Sequence, residues 1–147
     1  MIKQLYLTDL NEAIQTQVSD LFKQLAPDIK QLSLKEVLDK KNNCSVLCYE
    51  ENGIIVGLAV MCSYKVMSGY NGWIEDLIVD ENYRGKGIGR KLIEKLIEIG
   101  KDLYLTNIFL FTGKHRTAAN KLYSNLGFTK KNSNIYSLKI STYNEGF

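Results

Sequence analysis

Apolar residues recur early in the chain at the spacing of one helix face: Ile14, Val18, Leu21, Phe22 and Leu25, a run that stops at Ala26-Pro27. An alternating segment over residues 2–7 predicts an opening strand before it, and Asp9 with Glu12 three residues later predicts a capping box for the helix. Ser33 and Glu36 repeat that box ahead of a shorter helix carrying Leu34, Val37 and Leu38. From about residue 44 the helical period gives way to strand-like runs. Segments 45–49 and 54–64 are apolar and β-branched, and Glu51-Asn52-Gly53 between them predicts a tight antiparallel hairpin. A loop containing Gly69 and Gly72 should lead into a third strand near 73–79, making a meander.

The helix that follows, from about Gly87 to Ile99, has the core stripe Ile88, Leu92, Leu96 and Ile99 with Ile93 and Ile97 alongside. Gly100 fits the left-handed position just past its end. Residues 107–111 read as a buried strand, so strand, crossover helix and strand form a right-handed parallel unit with the glycine-rich turn at the carboxyl end of its first strand. Residues 117–126 predict a short helix closed by Gly127, and 128–130 with 135–140 a closing hairpin. The expected fold is α/β, with a mixed, mostly antiparallel central sheet, one parallel pair and helices on both faces. One domain over 1–140 with a frayed tail at 141–147 accounts for all 147 residues, enough to bury roughly two-thirds of the unfolded surface without disulfides or metal.

Charge narrows the class. The 19 basic residues are interleaved with 16 acidic ones for a net charge of +3, which argues against a nucleic-acid polymer as partner. Arg84, Lys86, Arg90 and Lys91 form the nearest thing to a cationic cluster, and it suits a few phosphates on a small molecule. Cys44, Cys48 and Cys62 are odd in number and sit in or near apolar segments, as buried thiols in a reducing compartment would. With His115 the single histidine and no Cys-x-x-Cys spacing, no zinc site is expected. No apolar run approaches the roughly 18 residues of a membrane span, so a cytoplasmic protein is expected, without a membrane partner.

Two features carry chemistry. Trp73-Ile74-Glu75-Asp76-Leu77-Ile78-Val79 sets two acids in an apolar strand, and Arg84-Gly85-Lys86-Gly87-Ile88-Gly89 opens the helix. Glycines there free backbone N–H groups to converge on an anion at the positive helix end. Spacing alone fits a ligand-free connection equally well. A Walker loop would end in Gly-Lys-Ser/Thr, whereas Gly89-Arg90-Lys91 stands here, and a dinucleotide fold would want its glycines in an early βαβ unit. Successive strand residues face opposite sides, so one of Glu75 and Asp76 should point toward a cleft, as a general base or as a salt-bridged acid. Tyr123 shares a helix face with Ala119, Leu122 and Leu126, where it is either core or a proton donor.

Taken in order, Ile74 to Val79, then Arg84-x-x-Gly87-x-Gly89, then Ala119-Asn120-x-Leu122-Tyr123-x-x-Leu126-Gly127-Phe128, the chain resembles the GNAT superfamily of acyl-CoA-dependent N-acyltransferases over roughly residues 45 to 140. The resemblance implies acetyl-CoA as co-substrate and a small-molecule or peptide amine as acceptor, with no metal. It implies Glu75 as base, Asp76 in reserve, and Tyr123 as acid to the leaving thiolate. It further implies the backbone of Leu77, Ile78 and Val79 along the pantetheine arm, with Asn120 beside it. Arg84, Gly85, Lys86, Gly87, Ile88, Gly89 and Arg90 would lie around the pyrophosphate. The acceptor cleft is expected between the 64–73 segment and the first two helices. A non-catalytic acyl-CoA sensor on the same fold is the alternative, and edges around 107–140 would permit a homodimer.

Overall fold

The computed structural model describes residues 1–141, so all but the first residue of the expected tail lies outside the described residues. Five strands form one sheet in the order β1-β2-β3-β4-β5: Ile2–Leu5, Cys44–Glu51, Ile54–Val66, Gly69–Val79 and Asn107–Phe109. All neighbours run antiparallel except β4 and β5, which are parallel. The helices are α1 (Glu12–Leu25), α2 (Leu34–Val37), α3 (Ile88–Asp102) and α4 (Thr117–Asn125). The hairpin between β2 and β3 turns on Asn52 and Gly53, both left-handed at φ 53° and 78°, the backbone that matches strand twist.

Strand alternation divides the core between the two faces of the sheet. On one, Val46, Leu58 and Ile78 meet Val18 and Leu21 of α1, with Leu34 and Val37 of α2 at the margin. On the other, Leu47, Val56, Met61 and Ile74 meet Ile88, Leu92, Ile93 and Leu96 of α3, with Tyr123 and Leu126 of α4 packed alongside. Leu92, Ile93 and Leu96 are fully buried, each contributing about 1.5–3 kcal/mol of transfer free energy.

β4 departs from the expected strand in two ways. It starts at Gly69, so Gly69 and Gly72 belong to the sheet and not to a loop. Gly72 is needed for close packing, since a Cβ there would stand 2.7 Å from Leu105 and 2.9 Å from the Met61 sulfur. It also carries a β-bulge: β3 advances from Leu58 to Val60 while β4 advances from Glu75 to Ile78, and Asp76 takes up the extra residue at φ 51°. Ile74 and Ile78, four positions apart, therefore face opposite cores.

Other expectations are corrected. α1 is capped by Asn11, whose Oδ1 accepts the Ile14 N–H at 2.9 Å, whereas Asp9 instead accepts from Tyr6 and closes a 3-10 turn over Leu7–Asp9. Gly100 lies inside α3, where a Cβ would stand 2.7 Å from Ile108, and Tyr104 takes the left-handed position beyond the helix at φ 60°. β5 ends at Phe109. Residues 128–141 form no strand, and Ile135, Tyr136, Leu138 and Ile140 are exposed, burying too little apolar surface to fix the expected hairpin.

Candidate active site

β5 pairs only with Asn71, Gly72 and Trp73, so among the described residues no strand lies beside the outer edge of β4 beyond Trp73. At the last paired position the Trp73 ring lies 5.6 Å from Phe109 and 5.9 Å from Phe111. A turn at Asp80–Arg84 then leads to α3. Asp80 accepts the Asn82 N–H at 2.9 Å and the Gln24 side-chain N–H at 3.0 Å, while Gln24 accepts the Glu81 N–H at 3.1 Å. α1 thus clamps the turn through Gln24. Arg84 folds back, donating from Nε to the Val79 carbonyl at 3.1 Å.

The glycines act through conformation. Gly85 and Gly87 both sit at φ 77°, and a Cβ at either would enter open space. Gly89 has neither a left-handed backbone nor a contact closer than 3.7 Å, so the protein's own packing does not call for glycine there. Gly87 starts α3 without a side-chain cap or an acid in the first turn, and the first helical bond runs from Lys91 N–H to the Gly87 carbonyl at 3.1 Å. The N–H groups of Ile88, Gly89 and Arg90 therefore point out of the helix end, at its partial positive charge. α1 and α2 are capped by Asn11 and by the Ser33/Glu36 box, whereas α4 starts uncapped at Arg116. The nearby cations are exposed: Lys86 lies 4.8 Å over Tyr83, Lys91 5.7 Å over Tyr49, and Arg90 pairs with Glu94 at 2.9 Å.

Glu75 pairs with Val60 and so belongs to the α1 side of the sheet, and the bulge brings Asp76 to the same side. This corrects the expectation that the two acids face apart. Both carboxylates oppose ionisation of Cys62, and Asp76 also acts on Cys44. Desolvation by neighbouring atoms raises the Glu75 pKa, the Asp76 charge adds to the rise, and a hydrogen bond with Trp73 acts the other way. Desolvation alone raises Asp76. Each nonetheless keeps an exposed surface.

Tyr123 is half-buried in the α3-side core, edge-on to Phe128 at 5.9 Å, and burial raises its pKa against the lowering effect of Arg116. It lies across the sheet from Glu75 and Asp76, and the open edge of β4 is where the two faces communicate. Asn120 spends its amide N–H groups on the carbonyls of Gly113 (3.1 Å) and Arg116 (2.8 Å), bracing the loop before α4. Leu77 and Val79 pack toward α3 and Ile78 toward α1, each presenting its backbone along the same strand.

Sequence reasoning missed Gln24 and Asp80. An Asp-x-Asn turn cap was readable at Asp80, but nothing marked Gln24 as its partner 56 residues away. A separate cavity of about 280 Å³, lined in part by Leu5, Tyr6, Leu38, Asn42 and Cys44, is formed without any residue of this turn. Among the described residues no cluster of three His, Cys, Asp or Glu side chains is placed to hold a metal ion, and no helix is long and apolar enough to cross a membrane.

The model of the acetyltransferase (GNAT) family matches residues 4–128. Glucosamine 6-phosphate N-acetyltransferase of Trypanosoma brucei brucei is 31% identical over 110 residues, 70% of this chain and 73% of that protein. Spermine/spermidine N(1)-acetyltransferase of Bacillus subtilis (strain 168) is 35% identical over 90 residues, 56% of each chain. The chain spans between a third and a half of several other curated relatives. Among solved structures, an aminoglycoside acetyltransferase from an uncultured soil metagenomic sample, in complex with sisomicin, superposes with a TM-score of 0.80 at 21% identity over 96% of this chain and 95% of that one. An aminoglycoside N-acetyltransferase in complex with CoA gives 0.74 at 20% identity over 96% and 100%. At these identities the structural likeness is one of fold.

Proposed function

The chain belongs to the acetyltransferase (GNAT) family, and on that premise we propose that it transfers an acetyl group from acetyl-CoA to a primary amine, by direct attack within a ternary complex. One observation carries the reading. The uncapped start of α3, with left-handed glycines at Gly85 and Gly87 opening onto free space, stands beside a stretch of β4 that no strand among the described residues covers. Backbone N–H groups between Arg84 and Arg90 would hold the pyrophosphate, and the exposed edge of Leu77–Val79 would run beside the pantetheine arm as a surrogate strand partner. Gly89 supports this fit, since the chain's own packing leaves its glycine unexplained.

An alkyl ammonium has a pKa of about 10.4, so the acceptor must lose a proton before it can attack. Glu75 takes that proton, directly or through water, with Asp76 beside it, and a carboxylate whose pKa is raised by desolvation is better matched to the task near neutral pH. The amine nitrogen bonds to the thioester carbonyl carbon, a β4 N–H stabilises the oxyanion by about 2.7–4 kcal/mol, and the carbon–sulfur bond breaks. The nitrogen sheds its second proton to water as the intermediate collapses, and Tyr123 supplies a proton to the sulfur from the opposite face of the open edge. The exposed carboxylate pair favours a cationic amine, and relatives named for glucosamine 6-phosphate and for spermine or spermidine fit that class.

Thiol release from acetyl-CoA across a panel of polyamines, amino sugars and peptide amines tests the activity. Thermal shift tests the site: at 100 times its dissociation constant acetyl-CoA should add about 2.7 kcal/mol of stability. Stabilisation by ATP alone overturns the reading, and stabilisation by acetyl-CoA with no acceptor turned over assigns a sensor instead.

A further inference from the structure

The expectation of three buried thiols holds for Cys48 alone. Cys48 is in the core, where burial pushes its pKa up, whereas Cys44 and Cys62 are partly exposed and face each other across β2 and β3 with their sulfurs 2.6 Å apart. The flanking hydrogen bond from Ser63 N–H to the Asn43 carbonyl, and that from Cys44 N–H to Asn42, show that residues 44 and 62 are a non-hydrogen-bonded cross-strand pair. Such pairs have Cα atoms about 4.5 Å apart, within the range of about 4.4–6.8 Å that a disulfide spans. The two sulfurs can be joined without moving the strands.

The pair is also chemically asymmetric. The Cys62 thiol and the Asn42 side-chain N–H (3.3 Å) both serve the Cys44 sulfur, holding its pKa down at about 7, while hydrogen bonding to Cys44, burial and the charges of Cys44, Glu75 and Asp76 push Cys62 up. With the Asn42 N–H aimed at its sulfur and both carboxylates acting against Cys62, Cys44 is the sulfur of the pair that ionises more readily. Cys44 is partly exposed and lines the cavity of about 280 Å³ between β1, the end of α2 and the start of β2, so a small reagent can reach the residue from outside.

We propose that Cys44 and Cys62 form a reversible thiol–disulfide site, oxidised by a small-molecule disulfide such as oxidised glutathione. Cys44 thiolate attacks one sulfur of the reagent, and one glutathione thiolate leaves. Loss of the Cys44 charge removes a cause of Cys62's raised pKa. Cys62 then gives its proton to water and attacks the Cys44 sulfur, and the second glutathione thiolate leaves. Two protein thiols are oxidised and one disulfide is reduced to two thiols. The consequence is a covalent tie between β2 and β3 on the sheet face that carries Glu75 and Asp76.

The test equilibrates the full chain in buffers of stepped oxidised-to-reduced glutathione ratio, followed by acid quench, intact mass and thiol titration. Free thiols should fall from three to one with loss of two hydrogen masses, one cross-linked peptide should join Cys44 to Cys62, and dithiothreitol should reverse both. Cys62→Ser should trap a glutathione adduct on Cys44, and Cys48→Ala should behave as the parent. Three thiols persisting at the most oxidising ratio, a lasting adduct in the parent chain, or a link that includes Cys48 would each overturn the proposal. The parent chain decides the question by itself if a variant fails to fold.

Discussion

Replacing Glu75 by Gln and Asp76 by Asn together removes the charge from β4 while preserving shape, and Asn tolerates the left-handed backbone at residue 76 as Asp does. Because the bulge sets both carboxylates on the α1 side, either can accept the proton when the other is gone. General-base catalysis contributes about 10²–10⁴-fold, and at neutral pH only about one part in 10³ of an alkyl amine is unprotonated. Each single variant should therefore lose about tenfold to a hundredfold in kcat/KM, and the double variant about a thousandfold. Steady-state thiol release at saturating acetyl-CoA, run from acid to alkaline pH, reads this directly. Activity of the double variant should climb roughly tenfold per pH unit toward the amine pKa, since hydroxide in bulk must do the deprotonation. Calorimetric affinity for acetyl-CoA should be unchanged. A double variant that keeps more than about a third of the parent activity at neutral pH refutes the assignment of the base.

Other consequences can be measured with less. Asp76 has a folded pKa raised by burial above its ordinary 3.8, so the folded state binds that proton more tightly than the unfolded state, and its effect on stability worsens as pH rises through the folded value. Asp76→Asn should accordingly be more stable than the parent at neutral pH in urea unfolding, with the advantage gone below pH 3.8. Gly87→Ala meets open space but a left-handed backbone, so it should cost about 1–2 kcal/mol in stability and weaken acetyl-CoA binding by calorimetry; an Ala variant with full affinity contradicts the cradle. Leu92→Ala, at a fully buried position on α3, should cost about 2–5 kcal/mol in denaturant unfolding.

The parts of this fold readable from the chain are those where a local signal and a tertiary need coincide. Asn52-Gly53 demanded a left-handed turn and the hairpin formed around it; the stripe from Ile88 to Leu96 demanded a buried face and α3 supplied one. Gly100 shows the opposite case. Its sequence context suited a helix stop, yet its role is to let Ile108 approach α3, a contact between two expected elements whose packing local pattern does not show. The candidate site divides the same way. The glycine turn was legible because left-handed residues leave glycines behind, whereas the pairing of Glu75 with Asp76 on one face was not, since period-two alternation cannot foresee an added residue. Gln24 and the Cys44–Cys62 contact depend on partners 56 and 18 positions away.

That added residue has a bearing on how the chain tolerates length changes. Asp76 acts as a phase shifter: upstream of it Ile74 looks to α3, and downstream Ile78 looks to α1. Excising Asp76 would leave Ile78 opposite Leu58 and Leu77 level with Ala59, each on the face it now occupies, whereas straightening the bulge at constant length would invert Leu77, Ile78 and Val79 together, turning two side chains out of one core and one out of the other. A gap at Asp76 when aligning this chain to another is therefore a claim that the other strand runs unbulged with both cores kept, whereas a gap at residue 77 with the bulge retained would be a claim that Ile78 and Val79 change face.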